Sequence, residues 1–368
     1  MDFVTSRDHL FRELQAMQGI VERRSTIPIL SNILIDAAGG RAELMATDME
    51  VGIRSRCEAE VSEPGSLTLS ARRLFDIVRH LPDAAVRLRS EENNWVVITC
   101  RRARFRIVGL ARDDFPEIPE FDFREALPIE AALLLDMIAK VIFAVAADDS
   151  RPQISGVLVV VEKRHLMLVG TDGHRLARVS GRLEKSALEG RMEMVVPRKA
   201  LHELSRIAEG RDEVLLGRKQ NHVFFKVGGT VLSSTLAVAK FPEYEDVVPR
   251  GNDRRLRVEA GALAEVVRRV ALLASDRSRA VRLSLGKGAL EIASSNPEVG
   301  EAAETLEVDY DAAPMEVAFN AKYLTDFLQA VGTGTVELAL KDEGTQGLLR
   351  PLAVEGRDYQ YVVMPMRL

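Results

Sequence analysis

The residues best suited to chemistry are Asp172-Gly-His174-Arg175, where a carboxylate stands two positions before an imidazole. Such a pair can move a proton, the work of a general acid–base catalyst. Asp-Gly is also a hairpin-turn signature in which the carboxylate serves the backbone. Asp48 lies 124 residues before Asp172 and Asn296 lies 124 residues after it, and neither has a histidine two positions on. A feature that recurs without its histidine serves folding, so the turn reading is preferred over a hydrolase built on Asp172 and His174.

Other catalytic patterns fail on inspection. His202-Glu-Leu-Ser-Arg206 approaches the helical zinc-protease motif, but Arg206 stands where a second histidine is needed and would repel a metal. Gly332-Thr-Gly-Thr follows a helix and precedes a strand, the reverse of the order in a dinucleotide-binding loop. There is no G-x-S-x-G elbow and no P-loop. Cys57 and Cys100 are the only cysteines, which excludes a disulfide framework and a cysteine zinc site and fits a reducing cytoplasm. No enzyme activity, metal or cofactor is expected.

The elements that would position these residues come in three rounds. Residues 7–21 carry Leu10, Phe11, Leu14, Met17 and Val21 at helical spacing. A strand is expected over 27–35, a strand pair around Asp48, a strand leading into a helix over 71–81, and a hairpin over 95–110. The order recurs with a helix over 131–145, a strand pair around Asp172, a strand entering a helix near Arg198, and a hairpin over 223–235. It recurs again with a helix over 263–273, a strand reaching Asn296, and a strand and helix over 317–328. Arg73, Lys199 and Lys322 are spaced by 126 and 123 residues, as are Pro116, Pro242 and Pro365. Three independent landmarks therefore predict three homologous domains, 1–122, 127–249 and 254–368, of class α+β with mostly antiparallel sheets. The linkers between them are short and polar, which implies fixed geometry.

At 368 residues the chain suits two or three domains. No segment approaches the roughly 20 apolar residues that a membrane span needs, and residues 1–20 lack the apolar core of a signal peptide. A net charge of −5 argues weakly against nucleic acid, yet the cations are placed in stripes. Arg72 and Arg79 share a helix face, Arg198, His202 and Arg206 share another, and Arg268 and Arg269 lie on a third helix. Helices aligned on one side would give an acidic protein a basic surface that touches phosphates without reading bases. The apolar terminus Tyr361-Val-Val-Met-Pro-Met-Arg-Leu368 has two readings, a last core strand or the wall of a binding groove.

Thr171-Asp-Gly-His-Arg-Leu176, Phe241-Pro-Glu-Tyr244, Val281-Arg-Leu283, Ser295-Asn-Pro-Glu298 and the terminal octapeptide together resemble the bacterial DNA polymerase III β subunit family, the sliding clamps. The resemblance spans the whole chain. It implies a clamp fold with helices on the inner face, closed as a homodimeric ring around duplex DNA, and a non-enzymatic processivity factor. The implied DNA-facing residues are Arg24, Arg72, Arg79, Arg198 and Lys199, while a tyrosine pair of some members is replaced by Pro152-Gln153. The implied subunit interface sets Phe105 and Ile107 against Leu272 and Leu273, with Arg73 and Arg104 facing Glu298, Glu301 and Glu304. The implied groove receives short peptides from the replicative polymerase, the clamp loader and repair proteins. Its matching positions are Ile154, Thr171, Gly173, His174, Arg175, Leu176, Pro242, Val247, Asn320, Tyr323, Val362, Val363, Met364, Pro365, Met366 and Arg367. Asp246, Ser278, Gly344 and Gln346 stand where the family carries basic, aromatic, aliphatic and serine residues, which implies a shallower, less cationic side to the pocket. The alternative is a peptide-binding scaffold that never encircles DNA.

Overall fold

A computed structural model describes the chain apart from residues 22–25, 147–150, 186–187, 276, 353–355 and 368. The described residues form six α-helices: α1 (Arg7–Met17), α2 (Ala71–His80), α3 (Ala131–Ala139), α4 (Arg198–Ala208), α5 (Ala260–Val270) and α6 (Ala321–Val331). Strands greatly outnumber them, and every ladder is antiparallel. Four helices begin where a strand ends on a capping side chain. Ser6, Ser70, Glu259 and Asn320 accept a hydrogen bond from the first turn of α1, α2, α5 and α6 respectively, satisfying amides that the helix leaves orphaned.

Contacts gather the chain into two compact units, one of Met1–Ala132 with Lys199–Leu236 and one of Leu133–Arg198 with Ala237–Leu368. The middle third of the sequence thus contributes to both. Sheet continuity is the reason. In the first unit an eight-stranded sheet runs in the order Leu127–Glu130, Glu213–Lys219, His222–Val227, Thr230–Thr235, Val51–Glu58, Arg41–Thr47, Asn32–Ala38, Gly65–Ser70. Its central joint pairs Thr230–Thr235 of the second repeat with Val51–Glu58 of the first. The second unit repeats this plan with Arg254–Glu259, Thr335–Leu340, Gly347–Pro351, Arg357–Val363, Arg175–Arg182, His165–Thr171, Gly156–Lys163 and Leu188–Pro197. Here the terminal strand Arg357–Val363 pairs with Arg175–Arg182, so the chain end is woven into the sheet.

Each unit adds a smaller sheet. The first has five strands, ending at the edge strand Ala103–Val108, and the second has four, ending at the edge strand Gly300–Glu307. Helices cover the sheets by burying one stripe. In α2 the buried residues are Ala71, Leu74 and Val78, and in α6 they are Ala321, Leu324, Phe327 and Leu328. Phe11 of α1 stacks on Phe75 of α2 with ring centroids 5.3 Å apart.

Several expected boundaries are corrected. The strand expected over 27–35 begins only at Asn32, because Pro28 opens a 3-10 turn through Ser31. The helix expected to reach Val21 ends at Met17, where bonding tightens to the three-residue step from Ile20 N–H to the Met17 carbonyl. The helix expected over 131–145 ends at Ala139 for a similar reason. Val141 donates to the Ile138 carbonyl and takes φ −126°, outside the helical range, as a β-branched residue readily does. The helix expected over 263–273 starts at Ala260 and yields to a 3-10 turn at Ala271.

One carboxylate anchors the exposed face of the second unit's large sheet. Glu337, only 1% exposed, accepts hydrogen bonds from Arg257 at 3.2 Å and Arg350 at 2.7 Å on its two neighbouring strands, with Arg255 at 3.7 Å. Burial pushes its pKa up, but the bonds from Arg350 and Arg257 outweigh that and hold it below the ordinary glutamate value. A folded-state pKa below the unfolded one adds stability above the unfolded value and loses it as pH falls through the folded value. Glu337→Gln should therefore cost about 2 kcal/mol in denaturant titrations at neutral pH. The deficit against the parent protein should shrink below about pH 4; a deficit independent of pH would show that the charge contributes nothing.

Candidate peptide-binding groove

The second unit contains a cavity of about 200 Å³ built around the turn between its strands His165–Thr171 and Arg175–Arg182. The turn is held by its own side chains. Asp172 Oδ1 accepts the His174 amide at 2.9 Å and the Arg175 amide at 3.1 Å, and Thr171 Oγ1 accepts the Gly173 amide at 3.1 Å. Gly173 takes φ +87°, a left-handed conformation that favours glycine. The same side-chain-closed turn recurs at the other landmarks. Asp48 Oδ1 accepts from the amides of Glu50 and Val51, and Asn296 Oδ1 from that of Glu298. The spacing of 124 residues is thus the spacing of one turn geometry.

This arrangement removes the acid–base reading. Asp172 receives the His174 amide and spends its other oxygen on Arg175 Nε at 3.0 Å, while the His174 ring stacks beside Tyr323 with centroids 6.5 Å apart. Among the described residues no cluster of three His, Cys, Asp or Glu side chains could hold a metal.

Arg175 fixes one wall. Its side chain is 6% exposed and donates to Asp172, to Asp326 of α6 at 2.7 Å and to the Phe143 carbonyl at 2.6 Å. Its guanidinium carbon lies 4.4 Å over the Tyr323 ring. Burial opposes its charge, but Tyr361, Asp326 and Asp172 overcome that and hold it above the ordinary arginine value. Burial in turn pushes the Tyr361 hydroxyl up, partly offset by Arg175.

The floor is Leu176 and Val362, which face each other across the central ladder and join a buried cluster with Leu158, Val160, Val169, Val195, Phe241 and Tyr244. The linker residues Pro242, Tyr244 and Val247 form a second wall, and Met364, 37% exposed, forms a lip. Arg151, Gln153, Ile154, Thr171, Gly173 and His174 complete the lining. The cavity is apolar with a few fixed polar groups, the usual character of a site that takes a side chain from a ligand.

Of the expected groove positions, Ile154, Thr171, Gly173, His174, Arg175, Leu176, Pro242, Val247, Val362 and Met364 line this cavity. Asn320, Tyr323, Val363, Pro365, Met366 and Arg367 do not. Asn320 caps α6 and bonds the Ser278 carbonyl, and Tyr323 acts from behind by stacking on His174 and Arg175. Val363 is fully buried in the sheet, Met366 bridges to Ala318, and Arg367 is exposed. Asp246, Ser278, Gly344 and Gln346 are also outside the lining. Arg151, Gln153 and Tyr244 are lining residues that sequence reasoning missed. Tyr244 lies within the Phe241-Pro-Glu-Tyr244 motif, and Gln153 enters the sequence reading only as a replacement for one tyrosine of the family's pair.

Among the described residues the equivalent place in the first unit is filled. There Gly52 replaces Leu176 by the repeat, and Ile118 packs on it so closely that a Cβ on Gly52 would lie 2.9 Å from the Ile118 methyl. Ile118 joins Ile29, Leu34, Met45 and Phe115 in a closed core.

The other expected sites lie elsewhere. On α2, Arg72 and Arg79 are exposed. Arg198 is half-buried at the start of α4, and Lys199 is bonded to Asp48, so it also ties α4 to the first repeat's turn. Arg24 lies outside the described residues. Phe105, 39% exposed, and Ile107 sit on the edge strand Ala103–Val108, followed by exposed Val108 and Leu110. Arg73 and Arg104 are exposed. In the second unit Leu272 is 80% exposed and Leu273 half-buried beyond α5, while Glu301 and Glu304 lie on the edge strand Gly300–Glu307 and Glu298 precedes it. Glu304 is already bonded to Arg269 at 2.6 Å.

Removing Arg175 leaves Asp172 without its cation and Asp326 with Lys322 alone, at 2.9 Å. Arg175→Met should lower stability by about 3 kcal/mol, read by thermal or chemical unfolding. A variant as stable as the parent would mean that the buried cation does not hold this wall.

The comparisons with known proteins agree over the full length. Residues 1–119, 128–243 and 245–367 match the N-terminal, central and C-terminal domains of the DNA polymerase III beta subunit. The chain is 38% identical to the beta sliding clamp of Pseudomonas putida over 375 aligned residues and 34% identical to that of Escherichia coli K12 over 370, covering 100% of each chain in both cases. It also superposes on the crystal structure of the DNA polymerase III subunit beta from Pseudomonas aeruginosa with a TM-score of 0.94 at 36% identity, and on the Caulobacter crescentus beta sliding clamp with a TM-score of 0.94 at 34% identity, each over 100% of both chains. A further Pseudomonas aeruginosa sliding clamp, bound to griselimycin, superposes with a TM-score of 0.93 at 37% identity over 100% of both chains. With three antiparallel α+β repeats and matches to all three domains, the chain belongs to the DNA polymerase III beta subunit family, the bacterial sliding clamps.

Proposed function

We propose that two copies of this chain close head to tail into a ring around duplex DNA, with 1–122, 127–249 and 254–368 as the domains of each copy. The clamp function itself, a non-catalytic processivity factor for DNA replication, follows from family membership. Ring closure is supported by one observation above all, two small-sheet edges with exposed apolar side chains on or beside them. Ala103–Val108 ends one small sheet and Gly300–Glu307 ends the other, each with exposed apolar side chains on it or near it. An uncovered edge of this kind invites pairing with another chain, and joining two different edges is a heterologous contact that closes when its rotation does. Phe105 and Ile107 then meet Leu272 and Leu273. Each buried large apolar side chain is worth about 1.5–3 kcal/mol. Rim charges at Arg73, Arg104, Glu298 and Glu301 tune the fit at less than about 1 kcal/mol each.

Within the ring Arg24, Arg72, Arg79, Arg198 and Lys199 meet DNA phosphates without reading bases. Phosphate affinity need not be high, because a closed ring cannot leave its DNA sideways. The groove takes an apolar side chain from short linear peptides of the replicative polymerase, the clamp loader and repair proteins, and Met364 supplies a deformable lip suited to several partners. The place of action is the cytoplasm; no helix among the described residues is long and apolar enough to cross a membrane.

The ring is tested on nicked circular DNA, where the protein should be retained until the DNA is linearised. Equal retention on both forms, with a monomeric mass in sedimentation, would instead indicate a scaffold that never encircles DNA. Leu272→Ala with Leu273→Ala should convert a dimer into monomers. Removing residues 364–368 should weaken polymerase-peptide binding by at least about tenfold, the effect of losing roughly 1.4 kcal/mol, while leaving the sedimenting mass unchanged. Normal peptide binding by the shortened chain would refute the groove assignment.

A further inference from the structure

The unit of Met1–Ala132 with Lys199–Leu236 holds a cavity of about 250 Å³ that neither ring closure nor the groove uses. Its floor is Val231, which the ladders place opposite Lys226 on one neighbouring strand and Arg54 on the other. Strands lie about 4.8 Å apart, so the Cα atoms of Lys226 and Arg54 stand roughly 10 Å apart, with both residues on the same sheet face and an apolar residue between them. Ile118, Phe121 and Phe123 form a further wall. Phe121 is braced by stacking on Phe224 with centroids 5.2 Å apart, and Lys226 Nζ lies 5.6 Å from the Phe123 ring centre. Gly228 and Gly229 leave one end without side chains, so an extended backbone can pass.

The charges are unbalanced. Arg54 is held by Glu120 and, at 3.6 Å, by Glu43, and Arg56 bonds Glu43 at 3.0 Å. Among the described residues Lys226 has no carboxylate partner. The Glu120 side chain is 75% exposed, so its bond to Arg54 is open to exchange with an incoming carboxylate. In the second unit the residue corresponding to Arg54 is Arg178, which pairs with Gln360, and the next strand carries Arg350. There the floor is polar and Arg350 is spent on Glu337. Only the first unit combines an apolar floor with an uncommitted cation.

We infer that this cavity is a second docking site, for an acidic linear segment of a partner protein whose aliphatic side chain covers Val231 and whose carboxylates reach Lys226 and Arg54 in place of Glu120. Charge complementarity selects the acidic partner, and the open glycine end selects a chain over a compact small molecule.

The test uses the full-length protein and a short fluorescent peptide of alternating leucine and glutamate, followed by anisotropy at low salt. Lys226→Glu and Gly229→Tyr are the variants. A Cβ at Gly229 meets nothing within 4 Å and its backbone is not left-handed, so a ring there can fill the cavity without disturbing the fold. Each variant should bind at least about tenfold more weakly, Lys226→Glu because a charge-assisted bond is lost and Gly229→Tyr because its ring occupies the cavity, and the parent protein should lose as much with a glutamine-for-glutamate peptide. The chain lacking residues 364–368 should bind the acidic peptide normally. Unchanged affinity in both variants would overturn the site. Loss of binding only on removing residues 364–368 would also overturn it, by assigning the peptide to the groove, whereas failure of polymerase-peptide binding alone bears on the groove and not on this site.

Discussion

A buried guanidinium is tolerated only where its partners are complete, and the second unit is organised around meeting that condition for Arg175. The residue ties three pieces of chain that are far apart in sequence: its own turn through Asp172, α6 through Asp326, and the turn after α3 through the Phe143 carbonyl. Tyr323 and Phe143 cover its faces, and Tyr361 of the terminal strand donates to the Tyr323 carbonyl. Carboxylates and a carbonyl at fixed positions leave the cation one orientation, so the adjoining wall of the groove is set before any ligand arrives.

The first unit solves the same problem differently. Its turn carboxylate, Asp48, takes its cation from Lys199 at the start of α4, with Val51 standing where Arg175 stands in the other unit. Both units therefore clamp a helix to an Asx turn, at the start of α4 in one and the middle of α6 in the other, with the charges supplied from opposite sides. An apolar residue at the turn and a glycine after it let Ile118 settle onto the strand and close the core. Arg175 followed by Leu176, with Tyr244 in place of Ile118, leaves room above the sheet instead. A few side-chain exchanges on one repeated plan thus account for a filled site over the turn strand in one unit and an open groove in the other.

What could be read from the sequence follows from how local each feature is. The turns at Asp48, Asp172 and Asn296 were legible because the side chain that makes the turn lies within it. The apolar stripes of α2 and α6 were legible because periodicity reports the buried face. Helix ends were less so: apolar spacing continues through Val21 and Val145, while the backbone stops at Met17 and Ala139 to tighten into three-residue bonding. The groove lining was legible only in part. Thr171 to Leu176 form a contiguous motif, but Arg151, Gln153 and Tyr244 reach the cavity only through tertiary packing, and Asn320 and Met366 serve caps and bridges that no spacing reveals.

The terminal strand shows why the two readings of an apolar chain end need not compete. Tyr361, Val362 and Val363 are all buried, as a core strand requires. Val362 nevertheless forms groove floor, because burial by a rim of neighbouring side chains is compatible with facing a cavity. Past Val363 the chain leaves the ladder, yet it is not loose: Met364 donates to the His174 carbonyl at 3.0 Å and Met366 to the Ala318 carbonyl at 2.8 Å. Backbone bonds fix where the lip runs, while the unbranched Met364 side chain keeps rotational freedom above the cavity. A fixed backbone carrying a compliant side chain can fit apolar groups of more than one shape. Floor and turn hold the site in place, and the methionine adjusts to whichever apolar residue enters.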